Sequence, residues 1–198
     1  QKLHQMQPPL LYLDCKPSNV MKDSDGKIRL IDFGSALEAH TPVTKGISAS
    51  PGYAAPEQLS REIEKRCVDV RTDVFGLGRT LYALLCGADL SRPPYAFASL
   101  KSRCPQVSDE LEQIIRRATA REPEARFQTM EAFLQVLLAL QEAYTVDDTG
   151  KKAPFWQKVR RKKTADCEVL QSVLRTAKPM GRWMFALLAA VLMLQGAT

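Results

Sequence analysis

Paired cysteines are absent from this sequence. Its five, Cys15, Cys67, Cys86, Cys104 and Cys167, are odd in number and scattered, with no C-x-x-C among them. That excludes a disulfide framework or a cysteine zinc site as the organising feature, and it fits a reducing cytosol. A signal peptide is also missing: the chain opens on Gln1 rather than Met, without a charged-then-apolar leader. It reads as an internal piece of a longer protein. No apolar run reaches the roughly 20 residues that a membrane-spanning helix needs. The longest, "WMFALLAAVLML" at 183–194, has twelve, which is about 18 Å of helix against a bilayer core of about 30 Å.

What is present describes an ordinary globular body. The 198 residues are 45% hydrophobic and 25% charged, enough for one domain with a core. The net charge of +6 is uneven. Residues 151–182 hold ten Lys and Arg against Asp166 and Glu168, so that segment carries +8 and the rest −2. The basic character therefore belongs to a tail.

Along residues 1–150 the patterns alternate. "NVMKDSDGKIRLID" reads as a β-hairpin turning at Asp25-Gly26. A loop rich in Pro, Ser, Thr and Gly follows, from about Ser35 to Ser60, long enough to suggest function. "TDVFGLGRTLYALLCG" reads as a helix capped by Thr72 and stopped by Gly87, apolar nearly all round and so buried, with Gly76 and Gly78 marking close packing. Two amphipathic helices come next. One is capped by Ser108, with Leu111, Ile114, Ile115 and Ala118 on one face. The other is capped by Thr129, with Phe133, Val136, Leu137 and Leu140.

Chemistry concentrates in three short motifs. They are Asp14-x-Lys16-x-x-Asn19, then Asp32-Phe33-Gly34 directly after the hairpin, then Ala55-Pro56-Glu57 at the end of the long loop. Each is weak alone. Their order, with the hairpin between the first two, resembles the catalytic half of protein kinases, whose elements are H-R-D-x-x-x-x-N, D-F-G and A-P-E. "KPSNV" and "GYAAPEQL" look most like the bacterial eukaryotic-like serine/threonine kinases. The resemblance runs from about Leu3 to Leu140. It includes Asp73 early in the buried helix and Arg126, which in this family pairs with the Glu of A-P-E, here Glu57.

The resemblance implies an α+β fold: a mainly helical C-terminal lobe of the protein kinase fold, with a small β-hairpin at the catalytic cleft. It implies ATP and Mg2+ (or Mn2+) as cofactors and protein Ser or Thr side chains as acceptors. Phosphoryl transfer asks for positioning and charge neutralisation rather than covalent help. Asp14 sits where the family's base accepts the hydroxyl's hydrogen bond, and Lys16 where a cation balances the moving phosphoryl group. Asn19 and Asp32 match the two metal ligands, offering the oxygen atoms that magnesium prefers. Met21 matches a position under the adenine, although an apolar strand residue is otherwise core. Phe33 and Tyr12 read as stacked core aromatics. Ser50 stands where it would bond both Asp14 and Lys16.

Departures from the pattern carry expectations of their own. Tyr12 and Leu13 replace the His and Arg of H-R-D. Without that Arg, a phosphate on Thr41, Thr44 or Ser48 would lack its partner, so activity should not depend strongly on loop phosphorylation. No G-x-G-x-x-G segment and no β3-type V-A-I-K occur. The expected division is therefore 1–144 a kinase C-terminal lobe without its nucleotide-covering partner, 145–182 a basic juxtamembrane linker, and 183–198 the start of a transmembrane helix flanked by Arg182 and Trp183. A buried or interfacial terminal helix is the alternative for that last run. The expected location is the cytoplasmic face of the cell membrane, as a single-pass protein whose basic tail meets an anionic surface. Nucleic acid is not expected, because Phe155 and Trp156 give little aromatic interleaving. The alternative to an enzyme is a pseudokinase, a binding or scaffold module on the same fold.

Overall fold

Asp69 begins the largest helix. In the computed structural model, which describes residues 1–25, 28–41, 47, 49–60, 68–93, 98–105 and 107–144, the Asp69 carboxylate accepts from the Arg71 N–H at 2.8 Å, and Thr72 Oγ1 accepts from the Asp69 N–H at 3.2 Å. This reciprocal cap starts the helix at Val70, and the cap lies three residues before the expected Thr72. Thr72 is the inner half of the cap. Gly87 ends the helix as expected, at φ 59°, a left-handed conformation that costs glycine little.

The chain runs β1 (Leu10–Leu11), β2 (Val20–Lys22), β3 (Ile28–Leu30), β4 (Leu37–Glu38), α1 (Pro56–Leu59), α2 (Val70–Cys86), α3 (Leu100–Arg103), α4 (Asp109–Ala118) and α5 (Met130–Tyr144). The result is mainly helical, with two small antiparallel strand pairs. β2 and β3 form the expected hairpin, in the register Val20 to Leu30, Met21 to Arg29 and Lys22 to Ile28. Gly26 of its turn lies outside the described residues. β1 and β4 form the second pair, Leu10 to Glu38 and Leu11 to Leu37. The loop read as structureless from Ser35 to Ser60 thus contains a strand and, at its end, α1. Two-residue strands carry too little alternation to be seen in a sequence.

The core lies where α2, α4 and α5 meet. Val74 and Leu81 of α2, Ile114 and Ile115 of α4, and Phe133, Leu137 and Leu140 of α5 are all buried. Each such side chain contributes about 1.5–3 kcal/mol of burial. Ser108 and Thr129 cap α4 and α5 as expected, accepting from the N–H groups of Leu111 and Ala132. A Cβ on Gly78 would stand 2.9 Å from both Ala118 Cβ and Thr119 Cγ2, so the glycine lets α2 and α4 approach.

Two expectations are corrected here. The single-pass location at the cytoplasmic face of the cell membrane is not retained: among the described residues no helix is long and apolar enough to cross a membrane. The longest, α2, has 17 residues, about 25 Å against about 30 Å. It also carries Arg71, Asp73 and Arg79, whose side chains bond within the protein. The basic segment 145–182 and the run 183–198 lie outside the described residues. Phe33 is not core: it is exposed, its ring meeting the buried Tyr12 edge-on at 5.2 Å.

Candidate active site

Asp73 organises the loop that bears Asp14. Buried near the start of α2, its two carboxylate oxygens accept from the backbone N–H groups of Tyr12 at 2.8 Å and Leu13 at 2.7 Å. His4 Nε2 approaches the same carboxylate at 2.7 Å. Leu13 has φ 64°, a left-handed conformation that a bulky residue adopts only when its surroundings hold it there. Asp14 follows this turn directly and is itself buried. Pro17 then opens a 3₁₀ turn, Pro17–Asn19, which brings Asn19 back over Asp14.

Four side chains converge there. Lys16 Nζ donates to Asp14 Oδ2 at 2.8 Å and to Ser50 Oγ at 2.7 Å. Ser50 Oγ donates to Asp14 Oδ1 at 2.6 Å. Asn19 Nδ2 donates to Asp14 Oδ2 and to the Asp14 carbonyl, both at 3.0 Å. Asp14 and Asn19 are buried, while Lys16 is partly open to solvent. A carboxylate held by a cation, a hydroxyl and an amide can accept a hydrogen bond from an incoming hydroxyl in a fixed direction.

Asp32 stands apart from this cluster. It is exposed, at φ 62°, and its Oδ1 accepts from the Gly34 N–H at 3.1 Å. The chain beside it is tied to Asn19, because the Ile31 N–H donates to the Asn19 carbonyl at 3.0 Å. Among the described residues no group of three or more His, Cys, Asp or Glu is placed to hold a metal. Asn19 and Asp32 each carry a side-chain oxygen of the kind magnesium takes. The Asn19 amide turns its nitrogen to Asp14, which leaves its oxygen for a cation, and magnesium takes few protein oxygens beside water and phosphate. Met21 is half exposed on β2 rather than core.

Burial tunes the neighbours. It pushes the Tyr12 phenol up to about 12, and the Tyr12 hydroxyl donates to the Ile31 carbonyl. Burial likewise pushes the Cys15 thiol up to about 12, so Cys15 is an inert packing residue under the loop.

Behind the site, Arg126 closes on Glu57. Its Nη1 and Nη2 donate to the two Glu57 oxygens at 2.7 and 2.8 Å, as the sequence resemblance implied. Gln58, unremarked in the sequence, is buried beside Glu57 and bonds the Leu13 carbonyl. Its only sequence signal is its place in the first turn of a short helix. Thr44 and Ser48 lie outside the described residues.

The model of the family described as "Protein kinase domain" matches residues 1–144. The chain belongs to the protein kinase domain family. It is 36% identical over 141 residues to the rhodopsin kinase GRK1 of Rattus norvegicus, a match covering 70% of this chain and 22% of that protein. It is 36% identical over 155 residues to the serine/threonine-protein kinase Pkn1 of Myxococcus xanthus, covering 66% and 21%. The chain thus spans about a fifth of the length of these curated relatives. Among solved structures, the ROP18 kinase domain in complex with AMP-PNP and sucrose superposes with a TM-score of 0.51 at 23% identity, covering 87% of this chain and 38% of that one. This likeness is one of fold.

Proposed function

We propose that these residues form the catalytic lobe of a protein kinase that transfers the γ-phosphate of ATP to Ser or Thr hydroxyls of proteins. The convergence of Lys16, Asn19 and Ser50 on Asp14 carries the reading. Asp14 accepts the hydrogen bond of the acceptor hydroxyl and orients its oxygen for in-line attack. As the new O–P bond forms and the bond to the leaving ADP oxygen breaks, the hydroxyl proton passes toward Asp14. Lys16, already beside that carboxylate, places a positive charge at the transferred group. Ser50 fixes the rotamer of both. Asn19 and Asp32 would hold the magnesium ion (or manganese), which when bound neutralises phosphate charge. Met21 offers an apolar surface to the adenine.

In this reading residues 1–144 are the C-terminal lobe. The 198 residues contain no G-x-G-x-x-G segment, so this chain alone has only part of a nucleotide site and no useful turnover. The test uses the longest natural protein that carries these residues, incubated with ATP labelled at its γ-phosphate, magnesium and a generic protein substrate. Label recovered on phosphoserine or phosphothreonine is expected. Nucleotide binding without transfer would instead make it a binding module on the same scaffold.

A further inference from the structure

Leu13 is held from both sides. Its N–H donates to Asp73 Oδ1 at 2.7 Å, and its carbonyl accepts from Gln58 Nε2 at 2.8 Å. All three residues are buried, with Leu13 and Gln58 each 4% exposed and Asp73 5%. The Gln58 amide can be placed only one way round. Its Oε1 accepts from the Ala55 N–H at 2.9 Å, so the nitrogen must face the Leu13 carbonyl. The base of the clamp is equally fixed, because the preceding residue, Glu57, is gripped by Arg126.

These bonds make one mechanical line: Arg126 to Glu57, through α1 to Gln58, across to Leu13, and on to Asp14. A left-handed Leu is disfavoured unless held, and Asp14 follows it directly. Rotation of the Leu13 peptide would swing the Asp14 carboxylate out of its bonds to Lys16, Ser50 and Asn19.

We propose that Gln58 is a positioning residue for phosphoryl transfer, locking the Leu13 peptide so that Asp14 stays aimed. The kinetic part rests on the kinase reading proposed above.

The test compares the longest natural protein carrying these residues with its Gln58→Met variant, which keeps the volume and loses both hydrogen bonds. Two measurements run in parallel: steady-state kinetics, and amide hydrogen exchange of the peptide spanning Leu10 to Lys16. In the variant, kcat should fall about tenfold or more while KM for ATP holds within about twofold. Exchange in that peptide should quicken about tenfold, while the melting transition falls only by the few degrees that two unpaired backbone groups cost, leaving the protein folded at the assay temperature. Unchanged kcat and unchanged exchange would overturn the proposal. So would a loss of activity that merely tracks a lowered melting temperature, which is a structural role only. Should the parent transfer no phosphate at all, the kinase reading fails separately, and unchanged exchange in Gln58→Met would still refute the clamp.

Discussion

Replacing Arg126 with Met should be among the most damaging single changes in the chain. The Arg126 side chain is fully buried, at 0% exposure, and its partner Glu57 is at 11%. A guanidinium has five N–H donors, and all five are used. Nε donates to the Ala120 carbonyl, Nη1 to Glu57 Oε1 and the Arg71 carbonyl, and Nη2 to Glu57 Oε2 and the Arg121 carbonyl. The group also stacks 4.9 Å over the Phe75 ring. Methionine would fill much of the volume but would leave a largely covered carboxylate with, among the described residues, the Thr72 hydroxyl at 2.9 Å as its remaining partner, and three carbonyls without this donor. Breaking a buried pair in this way costs about 3–5 kcal/mol, out of a total stability of about 5–15 kcal/mol. At roughly 2–4 °C per kcal/mol for a chain of this size, the melting temperature should drop by on the order of 10 °C. Urea unfolding of the parent and of Arg126→Met measures this directly. Glu57→Gln, which keeps shape and one acceptor, should cost less. A loss below about 1 kcal/mol in Arg126→Met would show that the pair behaves as a surface contact and refute the reasoning.

The two helix glycines should respond differently. Gly78→Ala should destabilise by about 1–3 kcal/mol, because its Cβ meets Ala118 and Thr119 at 2.9 Å. Gly76→Ala, whose Cβ stands 3.4 Å from Cys15 Cβ, should lie within about 1 kcal/mol of the parent through its helix-propensity gain; denaturant titration separates the two. Alkaline pH should weaken the fold. Burial raises the Cys15 thiol from 9.0 and the Tyr12 phenol from 10.0, each to about 12. The native state therefore binds these protons more tightly than the unfolded chain. Their stabilisation is whole below about pH 9 and is lost as pH rises toward 12. Between pH 7.5 and 10.5 the Cys15 share is about 2 kcal/mol, so Cys15→Ala should show a visibly shallower decline, and equal slopes would contradict the assignment. In the longest natural protein, Ser50→Ala should lower kcat about tenfold by freeing the Asp14 and Lys16 rotamers; an unchanged rate would remove Ser50 from the account.

Legibility in the sequence followed the length of the signal. The repeating apolar faces of α4 and α5 were visible because Leu111, Ile114 and Ile115, or Phe133, Val136 and Leu137, recur over several turns and are buried as the spacing requires. The start of α2 was misplaced because Asp69 and Thr72 are both cap-forming types, and only the reciprocal bonds distinguish the outer from the inner. Strands β1 and β4 were invisible, since two residues cannot show a period. At the candidate site, motif order singled out Asp14, Lys16 and Asn19, which the structure brings together, and the family resemblance implied the bonds of Ser50 to Asp14 and Lys16. The exposure of Phe33 and Met21 was not, because an apolar residue on a short strand or turn looks the same whichever way it faces. Gln58 was missed for a related reason. A glutamine becomes informative only when its amide is found buried between two backbone groups from distant parts of the chain.

The central claim, that Asp14 directs the acceptor hydroxyl, is tested most directly by Asp14→Asn in the longest natural protein carrying these residues. The substitution keeps the shape beside Lys16, Ser50 and Asn19 and removes the charge. The account predicts a fall in kcat of about 10²–10⁴-fold, with nucleotide affinity retained. A variant that transfers phosphate to Ser or Thr at the parent's rate would contradict it.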